Sequence, residues 1–190
     1  MRIIVWNCCM SLNSKFKELE KLDGDIYVVP EYEDPARYDS QEYNEFASNY
    51  IWVGENKFKG LGIFAKDNVK LELQDLDDDG LRYFIPVRVN DSFNLLGIWT
   101  NPNTKNTDTQ KYPNEILKYH ELHGDSGFFD EDIIICGDFN CDARLKRMHA
   151  KKVHMVVETL KKHNLVDTYH YLNDEVQGEE TKATFFMYRH

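Results

Sequence analysis

Hydrophobic residues near the start of the chain follow strand-like spacing, then helical spacing, then strand-like spacing again. Residues 2–6 and 26–29 are rich in β-branched and aromatic side chains, as is typical of strands. Between them, three apolar residues recur at helical spacing: Phe16, Leu19 and Leu22. A strand, helix and strand in this order normally place two parallel strands side by side. Asn7 and Glu31, which follow these strands, are therefore expected at neighbouring strand ends.

The middle of the chain contains short strand-like runs separated by turn residues, and this spacing predicts antiparallel pairing. The runs cover residues 51–53, 61–64, 69–73, 83–89 and 93–100. Between the last two, Asn90-Asp91-Ser92 has the residue types of a tight hairpin turn. The middle region is thus predicted to form antiparallel strands.

The last part of the chain returns to alternating helices and strands. A helix is predicted over about residues 113–123, with Ile116, Leu117 and His120 facing inward, and a strand over residues 132–137. Apolar residues at offsets of three and four predict a second helix over about residues 148–163. A final strand is predicted over residues 184–188. The chain has no internal repeat or Gly/Ser-rich linker, so residues 1–190 are expected to form a single α/β domain with mixed sheets.

Composition limits the class of protein. Of the residues, 42% are hydrophobic and 29% charged, as in an ordinary folded protein, and the apolar runs fall far short of the roughly 18 residues that a membrane span needs. No membrane insertion is expected. The four cysteines form no Cys-x-x-Cys pair, which favours a reduced, cytoplasmic location and gives zinc little support. The net charge of -10 argues against a broad basic face for nucleic acid.

Polar residues close three of the apolar runs: Asn7, Glu31 and the group Asp138-Phe139-Asn140. If strand alternation continues through this group, Asp138 and Asn140 share one face while Phe139 points into the core. Any one of these residues alone could simply form a turn. A glutamate that follows a hydrophobic run is costly to bury without a partner, so Glu31 is expected to be exposed, paired or bound to a cation. Mg²⁺ prefers oxygen ligands of this kind.

Three motifs together resemble those of the endonuclease/exonuclease/phosphatase superfamily. They are Ile4-Val5-Trp6-Asn7, Val29-Pro30-Glu31 and Ile135-Cys136-Gly137-Asp138-Phe139-Asn140. Their order and approximate spacing match over nearly the whole chain. The resemblance implies a four-layer sandwich, in which two mixed β-sheets pack face to face between helices.

The resemblance also implies residue roles. Glu31 is expected to be the principal ligand of Mg²⁺ or Mn²⁺, with Asn7 and Asp138 beside the metal, while Asp138 and Asn140 position the nucleophile and phosphate. The family places a histidine or tyrosine after a middle strand, and Asn101 is the candidate for that position here, with Trp99 and Thr100 as alternatives. The family's last strand carries an Asp-His pair, whereas this sequence ends in Tyr188-Arg189-His190. We therefore expect either that the domain is truncated at its C-terminus or that the protein lacks the family's last catalytic group.

Three functions follow as expectations. The first is a divalent-metal-dependent phosphoesterase that hydrolyses a phosphodiester, with endo- or exonuclease activity on nucleic acid as the leading interpretation. The second is a phosphatase or phosphodiesterase acting on a small phosphorylated molecule or a lipid. The third is a non-catalytic binding or assembly subunit on the same scaffold.

Overall fold

The computed structural model describes residues 1–77, 79–100, 111–144 and 147–184. Its strands are β1 (Ile3–Val5), β2 (Ile26–Tyr32), β3 (Tyr50–Asn56), β4 (Lys59–Ala65), β5 (Leu71–Leu73), β6 (Phe84–Val89), β7 (Phe93–Trp99) and β8 (Ile133–Asp138). Its helices are α1 (Phe16–Glu20), α2 (Gln41–Phe46), α3 (Lys111–His123), α4 (Arg147–Lys161) and α5 (Thr168–Asn173).

The strands form two four-stranded mixed sheets. The first has the order β1-β2-β4-β3, with β1 and β2 parallel and the other neighbours antiparallel. The second has the order β5-β6-β7-β8, with β7 and β8 parallel. The predicted parallel pairing of the first two strands is therefore confirmed, since Ile3 lies opposite Ile26.

The two sheets pack face to face around an apolar core. This core contains Val28, Ile63 and Leu61 from the first sheet and Val87 and Leu95 from the second. Side chains on the outer face of the first sheet pack against α1 and α2. Those on the outer face of the second sheet pack against α3 and α4. The result is the expected α/β four-layer sandwich of helices, sheet, sheet and helices.

Some local predictions were correct and others were not. Asn90 and Asp91 both have left-handed backbones, and the Ser92 amide donates to the Val89 carbonyl, so the hairpin turn is confirmed. The first helix is shorter than predicted: it ends at Glu20, and Leu22 lies in the following turn with 51% of its surface exposed.

The inner face of α3 also differs from the prediction. Tyr119 and His123 are buried beside Ile116, whereas Leu117 and His120 are only partly buried. Two helices of six residues, α2 and α5, were not predicted. The predicted strand at residues 184–188 lies almost entirely outside the described residues. Within the part of the chain that the structure describes, no helix is both long and apolar enough to cross a membrane.

Candidate active site

Three of the residues predicted from sequence lie together where the two sheets meet. The side-chain amide nitrogen of Asn7, just beyond β1, donates to Glu31 Oε1 at 3.2 Å and to Asp138 Oδ2 at 2.8 Å. Asn7 follows β1 and Glu31 lies near the end of β2, two parallel strands of the first sheet, and Asp138 ends a strand of the second. One nitrogen atom thus connects two carboxylates that come from different sheets.

A β-bulge in β2 gives Glu31 its orientation. The pairing register with β4 shifts between Pro30 and Tyr32, and Glu31 has a left-handed backbone with φ of 61°. After the shift, Tyr32 lies on the helix-covered side of the sheet with Val29, so Glu31 is the extra residue of the bulge. This freedom from strand alternation lets the carboxylate reach Asn7. A left-handed backbone at a glutamate costs roughly 1–2 kcal/mol, which the rest of the fold must offset.

The loop after Asn7 holds the asparagine in place. Its three residues Cys9, Met10 and Ser11 all have positive φ, and the Cys9 amide donates to Asn7 Oδ1 at 3.1 Å. The ammonium group of Lys15 donates to the carbonyl oxygens of residues 8 and 10, at 2.8 and 2.9 Å. Because the Asn7 oxygen accepts from this loop, its nitrogen faces the carboxylates. In this geometry the Asn7 oxygen, the atom that would ligate a metal, is turned away from Glu31 and Asp138.

The loop is also held from the second strand. The Met10 amide donates to the Glu31 carbonyl at 2.7 Å, and the Ser11 amide donates to the buried carboxylate of Glu33 at 3.0 Å. Sequence reasoning did not identify Lys15 or Glu33. Neither belongs to a motif, and their partners in the loop are backbone atoms that become accessible only in this left-handed conformation.

The segment after β8 departs from the predicted strand alternation. The strand ends at Asp138, and Asn140 has a left-handed backbone with φ of 47°. The expectation that Asp138 and Asn140 share a face by alternation is therefore wrong. Instead, the Asn140 backbone amide donates to Asp138 Oδ1 at 3.1 Å, and its side-chain amide donates to the Thr100 carbonyl at 2.9 Å. Phe139 packs against the helix-facing core of the second sheet, as predicted.

Of the three alternatives for the middle-strand position, Asn101 lies outside the described residues. The indole of Trp99 is buried in the core between the sheets, with 2% of its surface exposed. Thr100 is fully buried, and its hydroxyl donates to the Phe139 carbonyl. Thr100 therefore joins the end of β7 to the segment after β8 and has no surface to offer a substrate.

A lysine that sequence reasoning missed lies at the site. Lys59, the first residue of β4, places its ammonium nitrogen 2.9 Å from Glu31 Oε2. The same nitrogen lies 5.0 Å from the centroid of the Trp99 ring. The lysine side chain is 42% exposed and the glutamate 23%. No motif signals this contact, because it depends on how the β3–β4 hairpin folds over the end of β2.

The oxygen atoms gathered here suit a hard divalent cation. Glu31 and Asp138 both lie within hydrogen-bonding distance of the Asn7 nitrogen, so two carboxylates that could hold a small ion face the same place. Within residues 1–77, 79–100, 111–144 and 147–184, no three histidine, cysteine, aspartate or glutamate side chains lie close enough to hold a metal together. Mg²⁺ often takes only one or two protein carboxylates and completes its shell with water and phosphate, so the donors fit.

The cysteine thiols near the site have the properties of core residues. Burial raises the pKa of Cys8 to about 12, and it does the same for Cys136 and Cys141. A thiol with so high a pKa carries almost no thiolate at neutral pH, and the thiolate is the form that binds metal. These three side chains therefore act as small hydrophobic residues around the site, and Cys9 is exposed.

Several solved structures share this fold. An AP endonuclease from Archaeoglobus fulgidus is 17% identical, with a TM-score of 0.70 over 100% of this chain and 79% of its own. The 3′ phosphatase NExo from Neisseria, bound to a product DNA hairpin, is 18% identical, with a TM-score of 0.62 over 92% and 76% of the two chains. The catalytic domain of human Nocturnin, with a bound sulfate anion, is 15% identical, with a TM-score of 0.52 over 90% and 73%.

These likenesses confirm that the chain has the endonuclease/exonuclease/phosphatase fold that its motifs resemble. No protein-family model matches the sequence, and no curated protein is significantly similar to it.

Proposed function

We propose that this chain is a divalent-metal-dependent phosphoesterase that hydrolyses a phosphodiester, with a nucleic acid as the leading substrate class. The observation that carries the proposal is the Asn7 amide, which bridges the carboxylates of Glu31 and Asp138. The fold supports it, since similar structures include an AP endonuclease and a phosphatase bound to product DNA.

Each side chain has a role that follows from its contacts. Glu31, with Asp138 beside it, would hold Mg²⁺ or Mn²⁺, which when bound supplies positive charge to neutralise a phosphate and stabilise its transition state. Asp138 would accept a proton from the attacking water or orient that water. Asn140 and Asn7 keep the Asp138 carboxylate in position, because each donates a hydrogen bond to one of its two oxygens. Both hydrogens of the Asn7 amide nitrogen are used by Glu31 and Asp138, so this nitrogen would donate to a non-bridging phosphate oxygen only in place of one of these carboxylates.

A second candidate is hydrolysis of a small phosphorylated molecule. The net charge of -10 favours it, because long duplex DNA is repelled by an acidic protein except where local cations offset the field. Of the basic residues that follow the Asp138 motif in sequence, Arg144 is neutralised by Asp142, with 2.9 Å between the charged groups. The two candidates differ in the expected effect of salt: duplex cleavage should weaken steeply as salt rises, whereas cleavage of a small phosphoester should change little.

The test is a substrate panel assayed with Mg²⁺ or Mn²⁺ and with a chelator. It contains an abasic duplex, a 3′-phosphorylated hairpin, single-stranded DNA, a nucleotide and a chromogenic phosphodiester. Asp138→Asn should lower kcat by roughly 10²–10⁴-fold, the contribution of a general base, without unfolding the protein. Glu31→Gln should raise the metal concentration needed for half-maximal activity.

Glu20→Gln is the matched control, since Glu20 is an exposed carboxylate at the end of α1, outside the site. It should retain wild-type rates. Activity of Asp138→Asn equal to that of the control would refute the site assignment. If the wild-type protein cleaves no member of the panel with either metal, the enzyme proposal fails, and the non-catalytic binding subunit becomes the better interpretation.

A further inference from the structure

The Lys59 ammonium group is a positive charge at the carboxylate that is proposed to hold the metal. Its nitrogen lies 2.9 Å from Glu31 Oε2, while Glu31 Oε1 accepts from Asn7. Both oxygens of the glutamate are thus engaged. A divalent cation that binds Glu31 must replace the lysine or share the carboxylate with it.

The surroundings of Lys59 can accommodate its ammonium group after it leaves Glu31. Lys59 lies at the mouth of the site, where its side chain is 42% exposed, and the face of Trp99 lies 5.0 Å from its nitrogen. An aromatic face attracts a cation and so keeps it near the site. The flexible four-carbon stem of lysine lets the charge move by several ångströms without backbone change.

We propose that Lys59 alternates between two anions: it pairs with Glu31 in the metal-free protein and with a non-bridging phosphate oxygen of the substrate once a metal ion occupies Glu31. This inference rests on the proposed function, and it adds a phosphate-binding residue to the site. The reason is electrostatic. A divalent cation at Glu31 repels the ammonium group, and the phosphate brings the negative charge that the displaced lysine requires.

The first test measures metal binding without catalysis. Mn²⁺ is titrated into the substrate-free protein by calorimetry, with Lys59→Met compared with Lys57→Met. Lys57 is an exposed lysine of the same hairpin, and its ammonium group has no ion pair among the described residues, so its removal changes net charge equally. Lys59→Met should bind Mn²⁺ about fivefold more tightly than the control, the factor expected from the loss of one exposed competing ion pair. Lys59→Arg, which keeps the charge, should bind Mn²⁺ as the wild type does.

The second test measures anion binding. With Mn²⁺ present at saturation, inorganic phosphate should bind Lys59→Met roughly tenfold more weakly than it binds Lys57→Met, since one charge-assisted hydrogen bond is lost. For a cleaved substrate, KM should rise more than kcat falls. Thermal melts check that each variant is folded.

The outcomes separate this inference from the proposed function. Equal Mn²⁺ affinity, or equal phosphate affinity, for the Lys59 and Lys57 variants overturns the inference even if the wild type is an active enzyme. The wild type could cleave no substrate while the variants still show the expected changes in Mn²⁺ and phosphate affinity. In that case the two-anion role of Lys59 is supported and the proposed hydrolysis is not. If no variant binds Mn²⁺, both are overturned.

Discussion

Gly137, the residue before Asp138, should be intolerant of any side chain. Its φ is 143°, and a Cβ atom added there would lie 1.8 Å from the carbonyl oxygen and 2.8 Å from the amide nitrogen of Ile98. Ile98 is its partner in the parallel pairing of β7 and β8. Because the obstacle is backbone and not a flexible side chain, Gly137→Ala must push the two strands apart.

The expected loss can be estimated from two contributions. A backbone held in a region that is essentially restricted to glycine costs roughly 1–3 kcal/mol. Separation of the strands weakens neighbouring ladder hydrogen bonds, each worth about 0.5–1.5 kcal/mol. We therefore expect Gly137→Ala to lower the free energy of unfolding by about 3–4 kcal/mol. That is a large share of the total stability of a domain, roughly 5–15 kcal/mol.

Urea denaturation followed by tryptophan fluorescence measures this loss. Gly127→Ala is the matched control: Gly127 has φ of 81°, but an added Cβ there has no heavy atom within 4 Å. Gly127→Ala should lower the free energy of unfolding by only about 1–2 kcal/mol, the cost of the backbone conformation alone. If Gly137→Ala loses no more stability than Gly127→Ala, the steric argument for this strand pair is wrong.

Two further predictions concern side-chain ionisation. Cys9 is exposed, whereas burial raises the pKa of Cys8 to about 12. A disulfide reagent at pH 8 should therefore modify the Cys9 thiol rapidly in the folded protein. The variant Cys9→Ser should lack this fast phase of modification. Burial alone would lower the pKa of His170, but hydrogen bonds to Asp167 and Glu180 outweigh it and raise that pKa. Protonated His170 therefore stabilises the folded protein fully below its unfolded pKa of about 6.5, and this stabilisation is lost as pH rises through the raised folded pKa. His170→Gln should lower Tm more at pH 5.5 than at pH 9. Equal losses of Tm at both pH values would contradict this assignment.

Most of the fold could be predicted because its strands are long enough to show their pattern. Residues 26–29 are apolar on both faces, as expected of a strand covered by helices on one side and by a second sheet on the other. The helices α2 and α5 were missed because six residues span fewer than two turns, too short for helical periodicity. A capping signal was present for α2, where the Ser40 hydroxyl accepts from the Tyr43 amide.

Only those residues of the candidate site that belong to a sequence motif could be predicted. Asn7, Glu31 and Asp138 could be identified because each closes an apolar run in a recognisable order. The contacts of Lys59 and Lys15 could not, since both depend on loop geometry that no periodicity encodes. The orientation of the Asn140 side chain could not be predicted either, because the alternation of side chains applies only within a strand and this strand ends at Asp138.

The position of the site makes it depend on the packing between the sheets. Asn7 and Asp138 are separated by 131 residues in sequence and lie at the ends of strands from different sheets, yet they share a hydrogen bond of 2.8 Å. The sheets are close partly because Gly97 of β7 has no side chain: a Cβ atom there would lie 3.1 Å from Ile63 of β4. The residues that set the distance between the sheets therefore also set the distance between the carboxylates. Because a metal ion bound to both Glu31 and Asp138 would connect the two sheets directly, binding of the ion and closure of the sandwich should stabilise each other.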